Sequence, residues 1–83
     1  MYSIEITAKA EKFLNKLPKS EAALVLQKIY SIRESPFSHL KRLKGNDFWR
    51  LRVHKYRAII DVVVSGKKLI VLRIGHRKNI YDE

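Results

Sequence analysis

The chain has 83 residues, enough for one domain, with a formal net charge of +10 and a sequence pI near 10.2. Hydrophobic residues make up 46%, which excludes a disordered tail, and the absence of cysteine excludes disulfides and thiolate zinc sites and fits a reducing compartment. No apolar run reaches membrane-spanning length, and Glu5 interrupts any signal-peptide h-region, so the expectation is one soluble cytoplasmic domain over residues 1–83 with no membrane partner.

Tyr2, Ile4 and Ile6 alternate with Ser3, Glu5 and Thr7, which predicts a short first strand. Thr7 is placed to cap the helix that follows. In that helix Ala10, Phe13, Leu14 and Leu17 form one apolar stripe, and Lys9, Lys12 and Lys16 line the opposite side. Pro18 ends it near Leu17, and Ser20 is the expected cap of a second helix that has Glu21 near its positive end. Ala22, Val25, Leu26, Ile29 and Ile32 carry that helix to about Arg33, where Ser35-Pro36 stops it. The short linker makes the two helices an antiparallel pair. Residues 40–47 read as a basic loop.

Phe48 to Val64 reads as a hairpin of two strands broken at His54-Lys55, with no Asn-Gly or Asp-Gly to specify the turn. After Ser65-Gly66 a last strand runs from Lys68 to about Ile74. The order β-α-α-β-β-β predicts an α+β fold, a helical hairpin on one face of a small, mainly antiparallel four-stranded sheet. Trp49, Leu51, Val53, Ala58, Ile60, Val62, Ile70, Leu72 and Ile74 are the expected core face. Parity sends Arg50, Arg52, Arg57, Arg73 and Arg77, together with His54 and Asp61, to the other.

The charge is not spread evenly. Residues 41–78 hold twelve basic and two acidic residues, a net +10, so this block accounts for the whole excess. Arg50 and Arg52 stand about 6–7 Å apart along one strand face. Fold stability gives no reason to crowd guanidinium groups, whereas a polyanion does.

The helix and strand order, Leu43-Lys44-Gly45, Trp49-Arg50-Leu51-Arg52-Val53, Tyr56-Arg57 and the closing Gly75-His76-Arg77-Lys78-Asn79-Ile80-Tyr81 resemble the RelE/ParE superfamily of toxins. The resemblance is specific in the hairpin and tail and generic in the helices. It implies a type II toxin neutralised by a RelB-like antitoxin, and a ribosome-dependent endoribonuclease that cuts mRNA in the A site and so inhibits translation. By resemblance Arg50 and Arg52 take the basic positions of the second strand. Arg57 takes the arginine after the tyrosine, Arg77 the arginine after the glycine, and Tyr81 the tyrosine that stacks on a base. A ParE-like chain that binds and poisons DNA gyrase without cutting RNA is the alternative, because such toxins share the fold.

These residue types suit RNA cleavage on chemical grounds. The 2′-hydroxyl is a built-in nucleophile, so the enzyme need only align it, take its proton and neutralise the phosphorane. Arginine binds phosphate in a bidentate fork and stays charged. Several members of the family carry lysine where this chain has Arg50 and Arg52. Arginine is a poor base, so the proton acceptor falls to His54 or His76, with Tyr81 a further candidate. Each of the three has a structural alternative, as a turn residue or as an aromatic packed on the sheet. Lys41, Arg42, Lys44, Lys55, Arg73 and Lys78 are the expected contacts to RNA and the ribosome, 16S rRNA included. Asp61 is placed to orient Arg57 or a neighbour. The acidic residues are scattered, and His39, His54 and His76 lack ligand spacing, so the expectation is neither metal nor cofactor.

Overall fold

In a computed structural model, which describes residues 1–77, the chain forms a five-stranded mixed sheet with two helices on one face. The elements are β1 (Ser3–Ile6), α1 (Ala8–Asn15), α2 (Lys19–Ser31), a 3-10 turn (Pro36–Ser38), β2 (Lys41–Arg42), β3 (Trp49–Val53), β4 (Tyr56–Val63) and β5 (Lys68–His76). The sheet order is β1-β5-β4-β3-β2, antiparallel throughout except for β1, which lies parallel to β5 with Ser3 opposite Lys68 and Ile6 opposite Val71.

Local sequence explains most of these boundaries. Thr7 caps α1 as its position predicts, its hydroxyl accepting from the Ala10 amide at 3.2 Å. The same hydroxyl donates to the Leu72 carbonyl at 2.7 Å, so the cap also ties α1 to β5. At α2 the expected Ser20 cap gives way to a different start. The helix begins at Lys19 behind Pro18, without a side-chain cap, and the Pro18 carbonyl accepts from both Glu21 and Ala22 at 3.0 Å. Proline, with its fixed φ of −54° here, sets the entry angle without help from a hydroxyl.

The core lies between the helices and the sheet. Val25, Ile29, Ile32, Leu51, Ile60, Leu69 and Val71 are almost wholly buried. Phe13, Leu17, Ala22, Leu26, Trp49 and Val62 pack around them, so both predicted helix stripes reach the sheet.

Two features depart from the expected sheet. First, Lys41 and Arg42 are not loop; they add the fifth strand by pairing with Arg50 and Trp49. Two residues are too few to show a period, so nothing local announces the strand. Second, β4 and β5 slip register between Ile59 and Ile60: Ile60 faces Val71, but Ile59 faces Arg73. Leu72 is the extra residue of a β-bulge. The bulge reverses parity along β5, so its core residues are Leu69, Val71 and Ile74, and Ile70 and Leu72 leave the expected core face. Leu72 packs instead with Leu43, Phe48 and Ile59 in a small cluster on the opposite face of the sheet.

Candidate nucleic-acid interface

The face of the sheet turned away from the helices carries the arginines in two cross-strand rows. One runs Lys41, Arg50, Ile59, Arg73; the other runs Arg52, Arg57, Gly75. Directly opposed residues have Cβ atoms about 4.5–5.5 Å apart, and like charges in that relation destabilise a sheet. Arg52 opposite Arg57 is such a pair. An anion held between the guanidinium groups turns that cost into binding. The bulge matters here, because it is what keeps Arg73 in register with Ile59 on this face. The apolar cluster of Leu43, Phe48, Ile59 and Leu72 packs on the same side, so the surface is a basic face with an apolar patch. The only sequence trace of that patch is Leu43 and Phe48 at the ends of an otherwise basic and polar loop.

The second part of the site is the β3–β4 turn. It has two residues, His54 and Lys55, and His54 has a φ of 52°. A positive φ at the first turn residue is usual for glycine in tight hairpins, and histidine is among the few side chains that tolerate it. The turn is clamped from two sides. Arg77 donates from its backbone amide to the Lys55 carbonyl at 2.8 Å, and from its guanidinium Nη1 to the His54 carbonyl at 2.9 Å. From α2, Glu21 accepts a hydrogen bond from the Tyr56 hydroxyl and faces Lys55 Nζ at 3.6 Å. The Tyr56 hydrogen bond, helped by Lys55, holds the Glu21 carboxyl below the usual carboxylate range, against a smaller opposing effect of burial. The same bond, with burial, pushes the Tyr56 phenol up. Sequence pattern places Tyr56 in the core and Glu21 at a helix end; it gives no sign that they meet.

A cleft of about 770 Å³ opens at this end of the sheet. Leu24 and Val25 give it an apolar wall, and Arg52, His54, Arg57 and Arg77 bring cations and an imidazole to its rim. His54, Arg52, Arg57 and Arg77 are therefore gathered around one opening. His76 is not with them. Its ring packs on the helix side, edge-on to Phe13 with centroids 5.9 Å apart and 5.2 Å from Tyr56. Arg42 is also apart from the basic face. It pairs with Asp47 at 3.1 Å and lies 5.2 Å from the centre of the Trp49 ring, on the side where Trp49 packs on the core. Lys44 is exposed in the β2–β3 turn, beside Gly45 with its φ of 79°. Asp61 lies on the same face, diagonal in the register to both Arg50 and Arg73. Tyr81 and Lys78 lie outside the described residues. Among the described residues no three histidines or carboxylates come together as a metal site, and no helix is long and apolar enough to cross a membrane.

Comparison with known proteins decides the family. Residues 4–81 match the family described as the ParE toxin of type II toxin–antitoxin system, parDE. The chain belongs to the RelE/ParE superfamily of toxins. It is 33% identical to the RelE4 protein of Methanocaldococcus jannaschii, in an alignment that spans 100% of this chain and 94% of that protein. Its fold superposes on a chain of the RelBE2 toxin–antitoxin complex of Mycobacterium tuberculosis with a TM-score of 0.84, at 24% identity, over 92% of this chain and 98% of that one. A chain of the RelB–RelE antitoxin–toxin complex of Methanococcus jannaschii superposes at 0.70, with 27% identity, over 94% and 95% of the two chains. This RelE-like toxin thus shares the two-helix, mixed-sheet scaffold of those proteins, with Arg50, Arg52, Arg57 and Arg73 on the sheet face opposite the helices.

Proposed function

We propose that this RelE-like toxin is a ribosome-dependent endoribonuclease that cleaves mRNA in the A site. One observation carries the reading: Arg52 stands opposite Arg57 at the rim of a cleft that also holds His54 and Arg77, with Arg50 next along the same face. Such a cluster fits a phosphodiester that gains charge as it reacts.

The 2′-hydroxyl attacks the adjacent phosphorus and the bond to the 5′-oxygen breaks. The departing 5′-oxygen takes a proton from water, and the products are a 2′,3′-cyclic phosphate and a 5′-hydroxyl. His54 takes the proton of the attacking hydroxyl. Arg50, Arg52, Arg57 and Arg77 neutralise the phosphorane, and Tyr81, by family resemblance, stacks on a neighbouring base. Lys41, Lys44 and Arg73 extend the basic surface toward ribosomal RNA. The chemistry uses the substrate's own nucleophile and needs neither metal nor cofactor. The partner in the cell is a RelB-like antitoxin. Two of the solved relatives are complexes of RelE with RelB, and a net charge of +10 favours an acidic partner.

The test is to map the ends of mRNA cut on ribosomes kept intact by polyamines, with excess EDTA. The expected fragments end in a 2′,3′-cyclic phosphate and begin with a 5′-hydroxyl. Fragments with a 5′-phosphate, or a divalent ion required in the chemical step, overturn the mechanism. The family description names ParE, so gyrase poisoning is the second reading. Induced expression that stalls replication while translation continues selects it.

A further inference from the structure

A second groove lies on the β1 side of the sheet, between α1 and the end of β5. β1 ends at Ile6, and β5 runs on to His76, paired with β4 on one side, so on the β1 side its last residues pass beside α1 instead of a strand. The groove between them is lined by Lys9, Lys12 and Lys16 of α1, by Phe13, and by Arg73 to His76 of β5.

The three lysines occupy one side of α1, with axial rises of about 4.5 and 6 Å between successive residues. Among the described residues none of their ammonium groups has a hydrogen bond or an ion pair, whereas the side chains of Arg42, Lys55 and Lys68 each have a carboxylate partner. Among the described residues no acidic one lines the groove. Arg73 belongs to both surfaces, since it ends the row Lys41, Arg50, Ile59, Arg73 and also lines this groove. The basic surface therefore continues around the edge of β5 onto α1.

We propose that Lys9, Lys12 and Lys16, with Arg73, form a second contact to the RNA backbone, continuous with the arginine face and outside the cleavage site. This rests on the reading of the protein as an RNA-binding toxin. Lysine suits phosphate, which needs a point charge and little geometric fit. It is depleted from protein–protein interfaces, where apolar and aromatic anchors dominate. The aromatic of this groove, Phe13, is already packed against Tyr56 and His76. The groove thus offers charge without an anchor, which fits a phosphate backbone better than an acidic protein segment.

The experiment measures binding of a labelled, unstructured single-stranded RNA as a function of salt. The proteins are the wild type, the triple variant Lys9→Gln/Lys12→Gln/Lys16→Gln, and a charge-matched control, Lys19→Gln/Lys28→Gln/Lys67→Gln. Each lysine that neutralises a phosphate adds about 0.7 to the slope of log affinity against log salt. The triple variant should show a slope shallower by about 2 and an affinity lower by roughly tenfold or more at physiological salt. The control should keep a slope closer to that of the wild type. A triple variant with wild-type slope and affinity overturns the proposal. So does a control that loses as much, since net charge alone then explains the effect. Unchanged RNA binding with loss of affinity for the antitoxin makes the groove a protein-docking surface instead. A wild type that binds no RNA overturns the RNA reading itself, a failure visible before any variant is compared.

Discussion

In the proposed mechanism His54 has two separable roles, one in the turn and one as the general base. Its backbone holds a positive φ of 52° in a two-residue turn, and its ring stands at the rim of the arginine cleft. Asparagine also tolerates the left-handed region but cannot accept a proton at neutral pH. His54→Asn should therefore keep the fold, with stability within about 0.5 kcal/mol of wild type. It should lower the rate of cleavage on ribosomes by roughly 10²–10⁴, the usual worth of a positioned general base. Single-turnover cleavage with parallel urea denaturation checks both halves. A variant with full activity would remove His54 from the chemistry and return the role of base to Tyr81 or to the ribosome. His76 is a poorer candidate because its ring is packed between Phe13 and Tyr56 on the far side of the sheet.

Among the elements, β5 has the most to organise. It pairs with β1 on one side and β4 on the other, and its bulge at Leu72 decides which side chains reach the core and which reach the basic face. Thr7 is the tie that holds this region to α1, capping the helix at Ala10 and donating to the Leu72 carbonyl at 2.7 Å. Thr7→Ala removes both bonds. Loss of a cap of this kind costs about 0.5–2 kcal/mol, and the tie to the bulge should put the change at the upper end. The urea midpoint should fall by the corresponding amount with an unchanged m-value. A change below about 0.3 kcal/mol would mean that water replaces the hydroxyl at no cost. Sequence pattern anticipates the cap from Thr7 itself, but not its second bond, which depends on a carbonyl 65 residues away.

For the molecule as a whole, a bridge between the layers couples stability to pH. Glu21 on α2 accepts from Tyr56 on β4, which lowers the Glu21 pKa and raises that of Tyr56. A carboxyl with a depressed folded pKa adds stability that is fully present above the ordinary carboxylate range. That stability is lost as pH falls through the depressed value. A phenol with a raised folded pKa adds stability that is fully present below about pH 10 and is lost as pH rises through the raised value. The stability of wild type relative to Glu21→Gln should be level across the neutral range and decline toward both extremes. Denaturant midpoints measured from about pH 3 to 11 check this. A difference between the two proteins that does not change over that range would show that the bridge does not form in solution. The net charge of +10 adds repulsion in acid to both proteins alike, so the comparison cancels it.

Alternation along β3 and the stripes of the two helices are local properties, written into successive residues. They suffice for the two helices and four of the five strands, for the helix-facing core through Leu51, Ala58 and Ile60, and for a strand face carrying Arg50 and Arg52. Only the tertiary structure decides what depends on residues far apart in the chain. The edge position of β1, the recruitment of Lys41 into the sheet, the parity change at Leu72 and the meeting of Glu21 with Tyr56 are all of this kind. A two-residue strand has no period, a bulge is one uncounted residue in a run of apolar ones, and a hydrogen bond across 35 residues is set by how the layers pack. The same limit explains why Arg42 and His76, basic and close in sequence to the site, stand on the other side of the sheet. Composition shows that they are charged or titratable, and packing alone decides which surface they face.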